Sequence, residues 1–542
     1  MLSTMQDVPL SIAQILRHGS SIHSDASVTT WTDTGPRHRT YAEVGQRCGS
    51  LANALRTLGI TTDERVATFM WNNSEHLECY FAIPAMGAVL HTLNIRLFPD
   101  QLVKIVNHAE DSVIIVDPTL IPLLEPHLPR FTTVKHLIVT GSPTVAVEAP
   151  AGMKVHGYEV LIANEPPSFP WPAVDERSAA AMCYTSGTTG DPKGVVYSHR
   201  SIYLHSMQLC MSDGPNLQQG DRSLAIVPQF HAMAWGLPYA SFMIGASLIM
   251  PDRFLQPERL AEMISSQKPT FAAAVPTIWQ ALHIHLERNP QDISSLKEVL
   301  IGGSAVSPTL MRAFEKDHQV TVLHAWGMTE TSPLGSVARP PAGVTGDPMW
   351  KYRYTQGRFA SSVQARLVSE DGTVLENDGT KIGELEVRGP WITGSYYNVD
   401  TPENFNDGWL RTGDVGSITA DGYLHLSDRT KDIIKSGGEW ISSVEIENAV
   451  MGHPAVLEAA VIGVPDRKWD ERPLVAVVLR IDGSISVSPS ELKEYLTGTV
   501  ARWQLPENWV VMDEIPKTSV GKFDKKRLRA AYGDGELSVI HA

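Results

Sequence analysis

Apolar positions in the first three-quarters of the chain switch repeatedly between helix-like and strand-like spacing. Thr40 and Glu43 fit a capping box, and apolar residues then recur at three- and four-residue steps until Gly59. Short apolar runs typical of buried strands follow at 65–70, 113–116, 137–140, 271–275, 298–301 and 320–323. Helices are expected between them, one opened by Pro276 and one near 310–314. Such alternation predicts mostly parallel sheets covered by helices.

The pattern changes after Asp428. The spacing predicts a helix over 444–451, strands over 456–464 and 474–479, and a helix that Ser488 caps and Pro489 opens. This tail is long enough to form a small α+β domain of its own. We therefore predict an α/β protein with two parts: a large N-terminal domain at 1–428, and a small C-terminal domain at 429–542. Residues 142–152 and 339–348 contain Pro and Gly and are interpreted as surface loops.

Length and composition narrow the possible functions. A chain of 542 residues with 43% hydrophobic content is typical of a globular protein with more than one domain. The net charge of −15 argues against non-specific nucleic-acid binding. No apolar run reaches the roughly 20 residues that span a bilayer, and no signal peptide is recognised, so a cytoplasmic location is expected. The four cysteines lack metal-ligand spacing and are interpreted as buried thiols.

One segment, 184–194, has the composition of a phosphate-binding loop. It follows an apolar strand and combines glycines, hydroxyl side chains and a lysine: Thr185, Ser186, Gly187, Thr188, Thr189, Gly190 and Lys193. Glycines allow the backbone to approach an anion closely, and the amides and hydroxyls can donate to phosphate oxygens. The segment is not a Walker A motif, because Pro192 precedes the lysine and Gly194 follows it. A P-loop kinase or GTPase is therefore disfavoured.

This loop resembles the signature loop of the adenylate-forming (ANL) superfamily, which contains acyl-CoA synthetases, firefly luciferase and peptide-synthetase adenylation domains. Further segments similar to superfamily motifs follow in family order at 327–331, 408–414, 428–432, 435–442 and 516–522. The resemblance covers nearly the whole chain. It implies a luciferase-like fold, with a large N-terminal domain of several subdomains and a mobile C-terminal domain.

The resemblance assigns roles to residues of the nucleotide site. Glu330 and Thr185 would hold Mg²⁺, a hard cation that prefers oxygen ligands. Thr329 would face the α-phosphate, and Trp326, with Gly327, stands where the family places an aromatic residue against adenine. Asp414 would bind both ribose hydroxyls.

The C-terminal motifs contain the residues that would move with the C-terminal domain in the implied mechanism. Arg429 would also reach the ribose, and Lys431 occupies the usual pivot position. Lys435 and Trp440 lie in the motif that a pantetheine arm can pass, and Trp440 is a candidate adenine contact or a core residue. Lys522 matches the catalytic lysine, whose charge would screen two anionic reactants as they approach.

A further segment, 227–235, resembles the Pro-x-Phe-His stretch that lines the acyl pocket in this family. His231 would lie beside the reacting carboxylate with Ala232, and Trp235 stands where long-chain synthetases have a gate tryptophan. Gly303, His324 and Ala325 would complete the wall between acyl chain and nucleotide. Because no charged residue in these segments is placed to hold a second carboxylate or an amine, an apolar acyl group is favoured.

The implied activity is an ATP- and Mg²⁺-dependent fatty acid–CoA ligase that forms acyl-CoA through an acyl-adenylate, with medium- to long-chain acids favoured. Its small-molecule partners would be a carboxylic acid, ATP and coenzyme A, without nucleic acid, and a homodimer is possible. The alternatives are a short-acid ligase of the methylmercaptopropionate type and a stand-alone acyl-AMP ligase. A non-catalytic nucleotide sensor is disfavoured because Glu330, Asp414, Arg429 and Lys522 are all present.

Overall fold

The structure is a computed structural model that describes residues 1, 3–141, 147–185, 192–437, 439–480, 487–518 and 521–542. The predicted loop residues Ser186, Gly187, Thr188, Thr189 and Gly190 lie outside the described residues, as do 142–146 of the predicted surface loop.

The helices of the described chain, numbered in order, are α1 Ile12–Ile22, α2 Tyr41–Thr57, α3 Ser74–Ala85, α4 Pro99–Ala109, α5 Ile121–Leu124, α6 Tyr158–Ala163, α7 His199–Cys210, α8 Leu237–Ile244, α9 Pro257–Gln267, α10 Pro276–Arg288, α11 Pro308–His318, α12 Trp350–Arg353, α13 Ser443–Met451, α14 Pro489–Leu496 and α15 Lys525–Gly533.

The strands of the described chain are β1 Ser27–Thr32, β2 Gly35–Thr40, β3 Arg65–Phe69, β4 Val89–Thr92, β5 Val113–Val116, β6 His136–Val139, β7 Lys154–Gly157, β8 Ala179–Tyr184, β9 Gly194–Ser198, β10 Arg222–Ala225, β11 Ser247–Met250, β12 Phe271–Ala274, β13 Glu298–Ile301, β14 Thr321–Gly327, β15 Leu334–Val337, β16 Gly357–Phe359, β17 Gln364–Val368, β18 Val374–Leu375, β19 Gly383–Arg388, β20 Phe405–Asn406, β21 Trp409–Ile418, β22 Tyr423–Arg429, β23 Ile434–Ser436, β24 Glu439–Ile441, β25 Val456–Asp466, β26 Asp470–Leu479, β27 Asn508–Val511 and β28 Ile540–His541.

Local capping explains where several helices begin. The Thr40 hydroxyl accepts the Glu43 amide hydrogen at the start of α2, while the Glu43 carboxylate accepts the Thr40 amide, so the predicted capping box is confirmed. At α14 the Ser488 hydroxyl accepts the Glu491 amide. Pro276 is the first residue of α10, where the missing amide hydrogen costs nothing.

Two sheets form most of the large N-terminal region. The first has strand order β7-β6-β5-β3-β4-β8-β9 and is parallel except for β9. The second contains β1 and β10–β14 as parallel neighbours, and its strands are buried on both faces. Large hydrophobic clusters lie between these sheets and their helices. This confirms the predicted parallel-rich α/β architecture.

The same second sheet continues as an antiparallel extension through β15–β22, which the alternating pattern does not predict. Several of these strands are joined by short turns, although α12 lies between β15 and β16. Antiparallel neighbours need no helical crossover. The Asp421-Gly422 turn between β21 and β22 is an example, with Gly422 at φ +86°.

A separate, smaller sheet follows, with order β24-β23-β26-β27-β28 and β25 paired to β26. Helices α13, α14 and α15 accompany it, which confirms a small α+β unit. The last strand of the large sheet ends at Arg429 and the first strand of the small sheet begins at Ile434. Lys431 therefore lies in the link between the sheets. The exact division at 428 and 429 stays a prediction.

Candidate active site

The ends of several strands surround one large cavity. Strands β8, β13 and β14 are followed by Thr185, Gly302 and Met328, and ligands of α/β sheets bind beyond such carboxyl ends. The cavity has a volume of about 560 Å³. The predicted site residues that line it are Thr185, Lys193, His231, Trp235, Gly303, Ala325, Trp326, Gly327, Thr329, Glu330, Arg429, Lys431 and Lys522.

Backbone contacts close the base of the predicted phosphate loop. The Thr185 amide donates to the Lys193 carbonyl at 2.9 Å, and the Lys193 amide donates to the Thr185 hydroxyl at 3.1 Å. The Lys193 ammonium donates to Oδ1 of Asn404 at 2.7 Å and lies 4.8 Å from the ring centre of Tyr396. Asn404 and Tyr396 thus hold the positive charge of Lys193 at the cavity wall.

Glu330 is a buried carboxylate in the short helical turn that follows β14. Its Oε1 accepts a hydrogen bond from the Tyr396 hydroxyl at 2.8 Å, and its carbonyl accepts the Thr393 amide. Burial raises the pKa of this carboxyl, while Tyr396, Arg429 and Lys193 oppose the shift. A buried carboxylate with cations around it can serve as an oxygen ligand for a divalent cation.

Asp414 connects an aromatic ring and a guanidinium. It pairs with Arg429 across β21 and β22, and the Arg429 Nε lies 3.2 Å from its Oδ1. The indole Nε1 of Trp326 donates to its Oδ2 at 2.7 Å. Asp414 raises the pKa of Arg429, and the acid itself is buried. Gly335 leaves room for the Trp326 ring, because a Cβ added to Gly335 would stand 2.3 Å from that ring.

A second cavity of about 320 Å³ shares Gly303, Ala325 and Trp326 with the first. Its wall also contains His324, whose imidazole is buried and whose Nδ1 has no hydrogen-bond partner among the described residues. Burial lowers the pKa of His324 to about 4, so the ring is neutral near pH 7. An unpaired buried nitrogen beside an aromatic ring suits a flat heterocycle with polar edges, such as adenine.

Lys522 reaches this region from the C-terminal sheet's side of the molecule. A tight turn presents it: the Thr518 amide donates to the Lys522 carbonyl at 2.7 Å, and Gly521 has φ +81°. The Thr277 hydroxyl donates to the Gly521 carbonyl at 3.4 Å, which joins this turn to α10. Burial lowers the pKa of Lys522 to about 8, assisted by Arg429, while Asp414 and Glu330 act in the opposite direction.

His231 and Trp235 lie on the acyl side of the predicted site. Burial, followed by the charges of Lys522 and Arg96, lowers the pKa of His231 to about 3, so the imidazole is neutral near pH 7. The Cη2 atom of Trp235 would stand 3.5 Å from a Cβ added to Gly302.

The backbone that carries Trp235 is strained. Ala232, Met233, Ala234 and Trp235 all have positive φ, between 42° and 55°. Each such residue costs roughly 1–2 kcal/mol in the left-handed region. Successive strained residues persist only where packing holds them, and they cluster at functional sites.

Among the described residues, three predicted site residues line neither cavity. Ala232 is buried in the hydrophobic cluster behind the wall. Lys435 and Trp440 pair with each other across β23 and β24, and both side chains are solvent-exposed, Trp440 by 39%. In this domain arrangement neither contacts the nucleotide side of the cavity, so a contact would require the C-terminal domain to turn.

Sequence reasoning missed some of the wall. Tyr396 and Asn404 line the cavity and contact Glu330 and Lys193, but each is a single polar or aromatic residue in a loop without a recognisable pattern. The apolar part of the wall is formed by Leu209, Trp235, Leu300, Pro333 and Leu334. These residues come from separate elements, so no local motif marks them as a group.

The fold, with a lysine of the small C-terminal domain in the cavity of the large one, is that of the two-domain adenylate-forming enzymes. Comparison with known proteins agrees. The family model described as "AMP-binding enzyme" matches residues 17–397, and "AMP-binding enzyme C-terminal domain" matches residues 445–522. The chain belongs to this family, and it is an acid–thiol ligase of the AMP-forming type.

Individual relatives support the same class. The chain is 41% identical to a 3-methylmercaptopropionyl-CoA ligase of Ruegeria pomeroyi, over 98% of this chain and 99% of the relative. It is 42% identical to a long-chain-fatty-acid–CoA ligase of Thermus thermophilus, over 98% and 97%. Among solved structures, the anthranilate CoA ligase AuaEII in complex with anthranoyl-AMP is similar with a TM-score of 0.88 and 25% identity, over 98% of this chain and 100% of that one.

Proposed function

We propose that this ligase activates an apolar, medium- to long-chain carboxylic acid with Mg-ATP and then passes the acyl group to coenzyme A. In the first half-reaction the carboxylate oxygen attacks the α-phosphorus of ATP, which gives acyl-AMP and pyrophosphate. In the second the CoA thiolate attacks the acyl carbon, and AMP leaves. The observation that carries this proposal is the Lys522 side chain lying against Gly303 inside the cavity that His231 and Glu330 also line.

Lys522 supplies the charge that the first half-reaction needs. The attacking carboxylate and the α-phosphate are both anionic, so a cation between them lowers the barrier to their approach. With a pKa of about 8 the ammonium is mostly charged at pH 7. His231, neutral at that pH, can hydrogen-bond the acid without adding charge.

The other polar groups suit the nucleotide. Asp414, which is paired with Arg429, would accept from the ribose hydroxyls, and Trp326 would contact adenine. Lys193 and Thr329 would face the phosphates. The positions of these residues on the cavity walls support the proposed roles, as do the charges of Asp414, Arg429 and Lys193.

A magnesium ion fits the donor set at Thr185 and Glu330, which are both oxygen donors on the same wall. The described residues contain no group of three or more His, Cys, Asp or Glu that could hold a metal. This agrees with an ion that takes its remaining ligands from nucleotide phosphates and water. When bound, the ion would neutralise phosphate charge and help pyrophosphate to leave.

The apolar part of the cavity wall bears on the identity of the acyl group. Leu209, Trp235, Leu300 and Leu334 make an apolar wall continuous with the core of the large domain, which favours an alkyl chain. The relative at 41% identity is named for a short acid, 3-methylmercaptopropionate, and the relative at 42% identity is named for long-chain fatty acids. A short acid such as methylmercaptopropionate is the second candidate, favoured by Trp235 lying close over Gly302. A stand-alone acyl-AMP ligase is the third alternative.

The second half-reaction would require the C-terminal domain to turn about Lys431. That turn would withdraw Lys522 and bring the exposed Lys435 and Trp440 towards the cavity to meet coenzyme A.

Two further expectations accompany the proposal. The enzyme would work in the cytoplasm, where ATP and CoA are supplied, and it would assemble as a homodimer, which light scattering would test. No helix within the described residues is both long and apolar enough to span a bilayer.

The proposal is tested with purified protein, ATP, Mg²⁺ and straight-chain acids from C2 to C18, with and without CoA. Pyrophosphate release and acyl-CoA formation are both measured. We expect pyrophosphate with the longer apolar acids, and acyl-CoA only when CoA is present. A preference for the shortest acids would favour the second candidate, turnover to free acyl-AMP despite CoA would favour the third, and absence of pyrophosphate with every acid would refute the proposal.

A further inference from the structure

The segment 391–404 lies outside the motifs recognised in the sequence, yet it contacts both charged groups of the proposed phosphate and metal site. We call it the buttress segment. Its Trp391 Nε1 donates to the Leu334 carbonyl at 2.9 Å, and its Trp391 carbonyl accepts the Ser332 hydroxyl at 2.7 Å. These bonds fasten the start of the segment to the turn that carries Glu330.

Two contacts then bind the segment directly to Glu330. The Thr393 amide donates to the Glu330 carbonyl at 2.8 Å, which fixes the backbone. The Tyr396 hydroxyl donates to Glu330 Oε1 at 2.8 Å, which fixes the side chain. Both Tyr396 and Glu330 are buried, with 7% of each exposed. One oxygen of the carboxylate is thereby held in a fixed position.

Two further contacts bind the segment to Lys193. The ammonium lies 4.8 Å from the centre of the Tyr396 ring, within the range of a cation–π interaction. It also donates to Asn404 Oδ1 at 2.7 Å. Tyr396 therefore touches the anion and the cation of the site at once, with its hydroxyl on Glu330 and its ring face under Lys193.

We propose that Tyr396 is a positioning residue that sets the Glu330 carboxylate for the metal carried by ATP while its ring holds Lys193 for the phosphates. This inference rests on the proposed function, because it requires Glu330 to meet a nucleotide-bound cation. A buried carboxylate with a fixed hydrogen-bond partner is already oriented when Mg-ATP arrives, whereas a free one has to be ordered during binding. Removing the partner also leaves a buried charged oxygen unpaired.

The matched variants are Tyr396→Phe and Tyr397→Phe. The first removes the hydroxyl on Glu330 and keeps the ring under Lys193. The second removes the adjacent hydroxyl, which donates to no described residue, and keeps the ring that lies edge-on against His108. Calorimetry measures the dissociation constant of ATP in the absence of acid and CoA, once with excess Mg²⁺ and once with EDTA. This readout does not depend on turnover.

We expect Tyr396→Phe to weaken binding of Mg-ATP by about 10-fold to 100-fold, as for loss of a hydrogen bond to a charged group. Its affinity for ATP in EDTA should stay within about twofold of the wild-type value, because the contacts of Lys193 persist. Tyr397→Phe should match the wild type in both conditions. Mg-ATP affinity unchanged in Tyr396→Phe, or an equal loss with and without Mg²⁺, would overturn the inference.

Measurements on the wild-type protein distinguish failure of the metal role of Glu330 from failure of the inference about Tyr396. If it binds Mg-ATP no more tightly than ATP in EDTA, the metal role proposed for Glu330 fails, and the inference about Tyr396 fails with it. If the wild type shows the Mg²⁺ effect and Tyr396→Phe retains it in full, only the inference about Tyr396 fails.

Discussion

Lys522 and Gly303 come from different domains and pack against each other, so that a Cβ added to Gly303 would stand 3.3 Å from the Lys522 Cε. Gly303 also has φ +87°, a conformation that L side chains rarely adopt. The absence of a side chain at Gly303 therefore makes room for the lysine. The proposed first half-reaction depends on this contact.

Gly303→Ala should displace Lys522 and reduce pyrophosphate release by about tenfold or more, since a misplaced charge stabilises the transition state less. The matched control is Gly343→Ala, because Gly343 has a similar φ of +83° but no heavy atom within 4 Å of an added Cβ. It should retain activity. Equal losses in both variants would mean that backbone strain, rather than the contact with Lys522, is responsible.

The alkaline pH dependence should report Lys522. Burial, assisted by Arg429, lowers its pKa from 10.5 to about 8, and the charged form is the one that acts. The first half-reaction measured as kcat/KM should therefore be level well below pH 8, reach about half of that value near pH 8 and fall further as the pH rises. Lys522→Arg, whose guanidinium stays charged, should remove this fall even if the rate is lower. An unchanged alkaline limb in Lys522→Arg would assign it to another group.

Trp235→Ala should extend the apolar end of the cavity. The indole lies over Gly302, so its removal opens space towards Leu209 and Leu300. We expect the preferred acid in the pyrophosphate assay to become longer, while the KM for ATP changes by less than about twofold. An unaltered acid profile would contradict the role of a gate.

Asp414→Asn should weaken nucleotide binding. The amide cannot act as the ionised partner of Arg429, and its nitrogen cannot accept from the Trp326 indole. The loss of charge-assisted hydrogen bonds of roughly 1.5–3 kcal/mol should raise the KM for ATP about 10-fold to 100-fold. Asp421→Asn, at the turn after the same strand, is the control and should leave that KM unchanged. A similar KM in both variants would refute the ribose role.

Much of the fold could be predicted from local patterns. The capping box at Thr40 and the proline at Pro276 mark helix starts through interactions within a few residues, and the structure has both helices. The antiparallel strands β15–β22 were missed, because several of them are short and only partly buried and so carry a weak apolar signal. Trp409 is one such residue, only partly buried and covered by Arg366 and Arg388.

Some residues of the candidate site could also be predicted from local sequence patterns, and others could not. Thr185, Glu330 and Lys522 lie in contiguous motifs, so the sequence alone could propose them. Tyr396 acquires its place only when the chain folds back onto Glu330, 66 residues away, and nothing nearby in the sequence marks it. Lys435 and Trp440 lie in a recognised motif but face solvent here. The sequence could not predict this exposure, because it depends on the orientation of the whole C-terminal domain.

Lys522→Ala separates the two half-reactions, because this lysine of the C-terminal domain should be needed for the first half-reaction only. Lys517→Ala is the matched control, since Lys517 lies on the same turn but is paired with Glu458 at 2.7 Å. Pyrophosphate release and the conversion of supplied acyl-AMP and CoA to acyl-CoA are measured separately. We expect Lys522→Ala nearly to abolish pyrophosphate release while conversion of acyl-AMP largely survives, and Lys517→Ala to retain both. Equal loss of both half-reactions in Lys522→Ala, or full pyrophosphate release, would contradict this expectation.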